Sequence, residues 1–246
     1  MEFVIIGIVA FVASVLTFFS GFGLGTLLLP AFALFFTAPV ALAATAVVHL
    51  SNNLFKGVLV RKNVHWPTVI KFGLPAIPAA IFGAFLLTYL NERIAAIVIG
   101  LVLVTFAYLE LQTWFRKITF PKKFISIGGV LTGFLGGVSG QQGALRSMFL
   151  LKSGFDAREY IATGVLIAVL IDLARIPTYF IGLSATNFSI ATKELQLIAF
   201  GTFCAILGAS LGAHLVKKTT ITAIRYIVAA LMFVIGLLLI LGVLGT

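Results

Sequence analysis

Three charged side chains inside apolar stretches are the residues best placed to do chemistry. Arg146 lies within the apolar run Phe124–Leu151, and Asp172 and Arg175 lie within Tyr160–Ile181. The planar fork of donors on an arginine matches a sulfonate, sulfite or carboxylate better than an ammonium group does. An uncompensated charge in apolar surroundings is costly, so we predict that Arg146 binds an anion.

Asp172 and Arg175 are three residues apart and can pair along one helix. Two interpretations remain open for them. They form a permanent buried pair, or Asp172 carries a proton while Arg175 binds the anion or keeps Asp172 ionised. Arg146 also has an alternative, which is a structural pair with Asp172 or with backbone carbonyl groups.

A second polar cluster consists of His49, Asn52, Asn53 and Lys56, spaced three, one and three residues apart. This spacing places all four on one face of a helix. We predict that Asn52 and Asn53 hydrogen bond to substrate or to a glycine turn, and that His49 joins Asp172 as a proton-coupling candidate. The alternative is that the face supplies polar contacts between helices, with Lys56 extending to the membrane surface.

Glycines interrupt two of the apolar runs. Gly21, Gly23 and Gly25 fall in "GFGLG", and residues 136–143 read "GGVSGQQG". A helix that starts inside a membrane presents unpaired N–H groups and a partial positive charge, which favours an anion, and glycine lets the ligand approach the backbone. The alternative is that these glycines only permit close helix packing. The predicted substrate-binding residues are Ser20, Gly21, Gly23, Gly25, Asn52, Asn53, Ser139, Gly140, Gln141, Gln142, Arg146 and Arg175.

Other kinds of site have no support in the sequence. The three histidines are scattered and no cysteine or carboxylate cluster has ligand spacing, so we predict no metal and no cofactor. Paired carboxylates inside the membrane, an H-E-x-x-H helix or a serine-lysine dyad would indicate an enzyme, and none is present. We therefore expect a protein that is not an enzyme.

The composition shows which solvent surrounds these residues. With 61% hydrophobic and 10% charged residues, the chain falls far outside the soluble range. Its basic excess fits cytoplasmic loops of a membrane protein, so we predict no nucleic-acid partner. Eight apolar runs are long enough to enter a bilayer. They are Phe3–Phe36 (interrupted), Val40–Val60, Pro67–Tyr89, Ile94–Trp114, Phe124–Leu151 (interrupted), Tyr160–Ile181, Leu195–Val216 and Ile224–Leu244.

The runs form one four-part pattern that is used twice. A shift of 118 residues carries Gly25 to Gly143 and Thr45 to Thr163. We therefore predict two homologous membrane repeats, residues 1–118 and residues 119–246, within one integral transport domain.

Loop charge indicates how the interrupted runs cross the membrane. If each crosses once, the Lys and Arg residues divide nine to six between the two sides. If each is a re-entrant hairpin, Arg93 and Lys193 lie on one side, and the positive-inside bias becomes thirteen to two. The thirteen are Lys56, Arg61, Lys62, Lys71, Arg116, Lys117, Lys122, Lys123, Lys152, Arg158, Lys217, Lys218 and Arg225. We therefore predict an all-α polytopic protein with two inverted halves of about five segments each and both chain ends outside.

Several segments resemble the TauE/SafE family, also called the sulfite exporter or toluene sulfonate uptake permease family. They are the paired glycine turns, "ATAVVHLSNNLFK" (Ala44–Lys56), "ATGVLIAVLIDLAR" (Ala162–Arg175) and "PAIPAAIFGAFL" (Pro75–Leu86). The resemblance covers nearly the whole chain. It implies a multi-pass transporter of the inner (cytoplasmic) membrane that carries sulfite, sulfonates or related small anions.

We therefore predict a secondary transporter that moves a small sulfur-containing oxyanion by alternating access. Its expected partners are the small anion and the lipid bilayer, while proton coupling and a homo-oligomer remain open. A selective anion channel is the alternative, because the same helix ends can line a pore. A membrane assembly factor ranks third, since it would not need two half-helix tips aimed at one point.

Overall fold

The structure is a computed structural model that describes residues 1–20, 24–185, 192–214 and 221–244. These residues form helices joined by short turns. Five of the helices are long and apolar enough to cross a membrane, and shorter apolar helices accompany them. The predicted all-α polytopic membrane protein is therefore confirmed.

The helices follow the predicted apolar runs closely. Residues predicted as Val40–Val60 and Pro67–Tyr89, for example, form the third and fourth helices. In chain order the helices are α1 (Glu2–Ser20), α2 (Leu24–Ala33), α3 (Ala38–Val60), α4 (Trp66–Thr88), α5 (Glu92–Leu111), α6 (Thr113–Lys117), α7 (Ile125–Ser139), α8 (Gly143–Leu150), α9 (Ala157–Ala185), α10 (Thr192–His214) and α11 (Ile221–Leu241).

Both interrupted runs fold into a longer and a shorter helix. Helix α2 has 10 residues and α8 has 8, which at about 1.5 Å per residue makes them about 15 Å and 12 Å long. Neither can cross a hydrocarbon layer of about 30 Å. Since α1 packs against α2 and α7 against α8, the chain turns back at each break. The breaks therefore have the hairpin form that loop charge indicates.

The second break has a clear local cause at Gly140. Its φ of 77° is left-handed, a conformation that costs glycine little and other residues more. Its N–H donates to the Gly136 carbonyl at 3.0 Å and so closes the last turn of α7. Three residues later α8 begins at Gly143, with Gln142 as its N-cap residue. The glycine-rich segment at residues 136–143 thus contains the end of one helix and the start of the next.

Contacts between helices repeat in an exchanged pattern. Helix α1 packs on α10 as α7 packs on α4, and α3 packs on α10 as α9 packs on α4. Helices α3 and α9 contact each other, as do α5 and α11. Two equivalent halves, each packing its hairpin against the fourth helix of the other, would produce this pattern. The repeat boundary at residues 118 and 119, and the inversion of the halves, remain predictions.

Glycine gives the hairpin helices their close packing. Gly129, Gly133 and Gly137 face α4, and an added Cβ at each would collide with a backbone carbonyl oxygen of that helix. In the other hairpin contact, Gly208 of α10 lies against the backbone of α1 at Phe11. Small residues let backbones approach where lipid provides no hydrophobic drive for helix association. These glycines therefore pack helices, as their four-residue spacing indicates.

One end of the bundle carries few basic side chains. Lys193 pairs with Glu2 at 2.7 Å, which places the start of the chain beside the start of α10. Arg93 donates to the carbonyl groups of Leu239 and Ile240, which places the end of α11 beside the start of α5. The start of α1 and the end of α11 therefore lie with Arg93 and Lys193, as the hairpin interpretation requires.

The opposite end collects the basic loops. The turn Arg61–Asn63 packs on the first part of α9, and the His65 N–H donates to Thr163 Oγ1 at 3.0 Å. An added Cβ at Gly154 would lie 3.8 Å from the Lys122 ammonium nitrogen. The loops before α4, α7 and α9 therefore lie together. That this end faces the cytoplasm remains a prediction, and residues 217 and 218 lie outside the described residues.

Candidate functional site

The two glycine breaks meet inside the bundle. A Cβ added at Gly25, in the first turn of α2, would lie 3.8 Å from the Gly140 carbonyl oxygen and 4.0 Å from His49 Cδ2. The starts of α2 and α8 are therefore neighbours, with one face of α3 beside them. Gly21 and Gly23 lie outside the described residues, as does the side chain of Ser20.

Asp172 is the centre of the polar network next to this meeting point. It is fully buried, its Oδ1 accepts from Arg175 Nε at 2.9 Å, and Arg175 Nη2 lies 2.8 Å from the same oxygen in an ion pair. Oδ2 lies 2.6 Å from His49 Nδ1, and Gln142 Nε2 donates to Oδ1 at 3.0 Å. Three helices, α3, α8 and α9, thus converge on one carboxylate. The predicted pairing of Asp172 with Arg175 along α9 is present, whereas the alternative pairing of Asp172 with Arg146 is not among the described contacts.

His49 connects this carboxylate to Asn53. The Asn53 amide nitrogen lies 3.1 Å from His49 Nδ1 and 3.2 Å from Nε2. Because Nδ1 faces a carboxylate, hydrogen-bond complementarity places the ring proton on Nδ1 and leaves Nε2 to accept from Asn53. The neutral ring is then fully hydrogen bonded in a site that is closed to solvent.

Arg175 and Tyr179 hold the end of α7. Arg175 Nη1 donates to the Gly136 carbonyl at 2.8 Å, and the Tyr179 hydroxyl donates to the Gly137 carbonyl. Both carbonyls belong to the last turn of α7, where most carbonyls lack a partner within the helix; the Gly136 carbonyl also accepts from the Gly140 N–H. The guanidinium of Arg175 is therefore divided between Asp172 and the backbone. Sequence reasoning missed Tyr179, although its position four residues after Arg175 places both on one face of α9.

Arg146 stands apart from this network in having only a neutral partner among the described contacts. It lies in α8, half-buried, and its Nη1 donates to Gln142 Oε1 at 3.3 Å. A Cβ at Gly164 of α9 would lie 3.4 Å from Arg146 Nε, so a side chain there would crowd the guanidinium. Nearby, the Tyr160 hydroxyl donates to Ser147 Oγ at 2.7 Å. A long bond to a neutral amide is weak, so this guanidinium can exchange it for an oxyanion.

A comparison with protein families identifies the chain. The model of the family described as sulfite exporter TauE/SafE matches residues 6–239 of the 246. The chain belongs to the TauE/SafE family. The resemblance predicted from its sequence is thereby confirmed, and membership makes it a membrane transporter. No curated protein matches the chain.

Asn52 bonds between helices in this TauE/SafE chain. With its amide oxygen facing Lys56 Nζ at 3.1 Å, its nitrogen donates to Ser14 Oγ at 2.8 Å and to the Ala205 carbonyl at 3.2 Å. These contacts join α3 to α1 and α10. Lys56 is itself buried, and so does not extend to the membrane surface as the alternative interpretation supposed. The role of Asn52 in binding substrate stays a prediction.

Two buried polar atoms beside the breaks have no hydrogen-bond partner among the described residues. They are Gln141 Nε2 and Thr45 Oγ1, and both side chains are more than nine-tenths buried. The Thr45 methyl group would lie 3.4 Å from a Cβ at Gly25. Ser139 differs, because its hydroxyl donates to the Leu135 carbonyl at 2.9 Å. An unpaired donor in a dry interior is costly, which points to a ligand that TauE/SafE transport would bring. Sequence reasoning missed Thr45, whose small hydroxyl gave no signal beyond its place in the repeat.

A cavity opens at the end of the bundle that carries Arg93. It has a volume of about 320 Å³, and Pro39 of α3 and Gly182 of α9 are among its lining residues. One turn further along α3, a Leu42 methyl group lies 3.1 Å from the Cβ position of Gly140. Leu42 is fully buried.

Proposed function

We propose that this TauE/SafE chain is a secondary transporter of the inner (cytoplasmic) membrane that moves a small sulfur-containing oxyanion by alternating access. Sulfite, sulfonates and related organic anions are the substrate class. One observation carries the proposal: the two intramembrane helix breaks meet beside Arg146, a half-buried arginine with only a neutral partner among the described contacts. Family membership independently supports anion transport.

The start of α8 supplies the anion with backbone donors. In the first turn of an α-helix, the N–H groups have no acceptor within the helix, and here they belong to Gly143, Ala144 and Leu145. The helix dipole adds a partial positive charge at the same point. Gln141 contributes an amide donor that has no described partner. Together with Arg146, these donors suit an oxyanion with several acceptor oxygens.

Electrostatics favours an anion at this place. Asp172 is already matched by Arg175, so the pair contributes little net charge. Arg146 then leaves the surroundings of the breaks positive. An arginine at this depth is costly without a counter-charge, and a bound anion provides one. We expect the site to be asymmetric, because position 28, the counterpart of Arg146 by the shift of 118, is Leu28.

We favour a carrier over a channel and assign Leu42 to its barrier. Buried Leu42 packs against the Gly140 position, one turn along α3 from Pro39, which lines the cavity at the Arg93 end. A carrier needs such a barrier on each side in turn, and rocking of one repeat against the other would open and close it. His49 and Asp172 lie beside the breaks and are the candidates for proton coupling.

Uptake into proteoliposomes tests the proposal. The purified chain should take up at least one of sulfite, thiosulfate, methanesulfonate and benzenesulfonate with saturating kinetics, and should discriminate against carboxylates of similar size. Current that rises linearly with voltage, without saturation, would replace the carrier with a channel. No flux of any of these anions would contradict anion transport altogether.

A further inference from the structure

A continuous chain of hydrogen bonds joins the proton-coupling candidates to the anion-binding arginine. It runs from Asn53 to His49, from His49 to Asp172 at 2.6 Å, from Asp172 to Gln142 at 3.0 Å, and from Gln142 to Arg146 at 3.3 Å. The first three residues lie on α3 and α9, Gln142 is the N-cap residue of α8, and Arg146 lies on α8. The chain therefore crosses from the long helices to the broken one.

The amide of Gln142 can take only one orientation in this chain. Its NH₂ group faces the Asp172 carboxylate, which only accepts, and its oxygen faces the Arg146 guanidinium, which only donates. In the reversed amide, the Gln142 oxygen would face the Asp172 carboxylate, and both groups only accept. Its NH₂ group would face the Arg146 guanidinium, and both groups only donate. Gln142 is 1% exposed, so water cannot compensate. Asp172 therefore fixes Gln142, and Gln142 in turn holds Arg146.

We propose that Gln142 couples proton binding at the His49–Asp172 pair to anion binding at Arg146. This role rests on the proposed anion transport and assigns it a coupling ion. It differs from the donor role that the sequence suggests for Gln142, because both ends of the amide are already engaged by protein groups. Gln142 thus acts through Arg146 as a positioning residue.

The proton has a defined place to bind. Arg175 Nε and Gln142 Nε2 donate to Asp172 Oδ1, and the Nδ1 proton of His49 faces Oδ2. On the His49 ring, the nitrogen that can take up a proton is Nε2, which accepts from Asn53 in the observed state. A proton from water adds there when the Asn53 amide turns its oxygen toward the ring. One N–H bond forms, and the imidazole becomes an imidazolium.

Other charged and titratable groups around the pair set the electrostatic background. They are Arg175 and Tyr179 on α9, Arg146 on α8 and Lys56 on α3. Helix α7, which packs on α9, contributes none, since Ile125–Ser139 contains no titratable side chain. Asp172 is the negative member of the pair, and the arginine and lysine side chains named around it are positive. Proton uptake by His49 therefore adds one more positive charge to this region.

Protonation of His49 weakens the attraction between Asp172 and the Gln142 amide. An imidazolium beside Asp172 cancels much of the negative charge that attracts the Gln142 amide and, beyond it, Arg146. Arg146 then exchanges its bond to a neutral amide for stronger, charge-assisted bonds to an oxyanion. Because linkage is reciprocal, the anion must in turn promote protonation of His49. Allosteric couplings of this kind change affinity by about 5- to 150-fold.

Anion binding at several pH values tests this coupling in the full chain. Methanesulfonate and thiosulfate serve as probes, because their charge stays constant from roughly pH 5.5 to pH 8.5, around the ordinary histidine range. We expect wild-type affinity to rise by about one to two orders of magnitude as pH falls. Gln142→Met should still bind the anion but lose most of this pH dependence. Gln141→Met, the same change at the next residue, should keep the pH dependence whatever its affinity.

A second variant keeps the test decisive if Gln142→Met does not fold. In Gln142→Glu, a protonated side chain can still donate to Asp172, while an ionised one pairs with Arg146 and competes with the anion. The pH dependence of binding should therefore become steeper than in the wild type. An unchanged pH dependence in either Gln142 variant would overturn the coupling role.

The wild-type result separates the two proposals. Binding with no pH dependence would overturn the coupling and leave anion transport standing. No binding of either probe, together with no flux of the transport panel, would overturn the proposed function and the coupling with it. Proton uptake measured calorimetrically in buffers of different ionisation enthalpy checks the linkage directly, since the wild type should take up protons on binding and Gln142→Met should not.

Discussion

Substitution of Arg146 separates substrate binding from structural support. Arg146→Lys keeps the charge and loses the planar fork, whereas Arg146→Ala loses both. We therefore expect anion affinity to fall in the order wild type, lysine variant, alanine variant. The graded order matters because a point charge alone would let lysine replace arginine without loss.

The structure sets the size of both effects. A hydrogen bond to a charged group contributes about 1.5–3 kcal/mol, so alanine should weaken affinity by about tenfold to a hundredfold. The stability of the empty protein should fall by less than about 1 kcal/mol, because the half-buried guanidinium bonds to a neutral amide at 3.3 Å. Loss of affinity without loss of stability is the expected signature of Arg146→Ala.

Arg175→Ala is the matched control. The same substitution there removes two bonds to the fully buried Asp172 and one to the Gly136 carbonyl. Breaking a buried pair costs about 3–5 kcal/mol, so this variant should unfold at a clearly lower temperature. Thermal unfolding in detergent and anion binding should be measured on all variants together. Wild-type affinity in Arg146→Ala, or a loss of stability as large as that of Arg175→Ala, would refute the binding role.

Three further predictions concern the break, its support and the topology. Gly140→Ala places a side chain at a φ of 77°, so it should destabilise the protein by about 1–2 kcal/mol and reduce transport; unchanged transport and melting would show that the turn is not constrained. Tyr179→Phe leaves a buried carbonyl at the end of α7 without its donor and should cost about 1–3 kcal/mol in thermal unfolding; an unchanged unfolding temperature would count against this support. In a Cys204→Ser background, a cysteine at Arg93 should react with an impermeant reagent in intact cells and one at Lys122 should not; labelling at Lys122 would end the hairpin topology.

The helices and their breaks could be predicted from the sequence because both arise from local chemistry. Long apolar runs form helices wherever lipid forbids unpaired backbone groups, and their ends fall at charges or turn residues. Residues predicted as Pro67–Tyr89 thus form α4, Trp66–Thr88. Helix α7 ends at Gly140 in a left-handed conformation, which glycine adopts at little cost, so the glycine-rich sequence indicates a break there. The hairpin form followed from loop charge, which depends only on where Lys and Arg fall between the apolar runs.

The partners of the polar side chains could not be predicted in the same way. His49 and Asp172 are 123 residues apart in sequence, and only the packing of α3 on α9 brings them together. Helical spacing placed His49 and Asn52 on one face, but that face is wide enough for Asn52 to bond toward α1 and α10 while His49 bonds toward α9. The sequence likewise did not indicate which group Arg146 contacts. In the structure its Nη1 donates to Gln142 Oε1.

Counterflow in proteoliposomes tests the central claim most directly. Vesicles that contain the protein and a high internal concentration of unlabelled thiosulfate or methanesulfonate are diluted into a trace of the same labelled anion. An alternating-access carrier exchanges one for the other, so the label should accumulate transiently above its equilibrium level, and Arg146→Ala should reduce this overshoot at subsaturating anion. Label that only equilibrates, without an overshoot and equally fast in both proteins, would contradict a carrier with its anion site at Arg146.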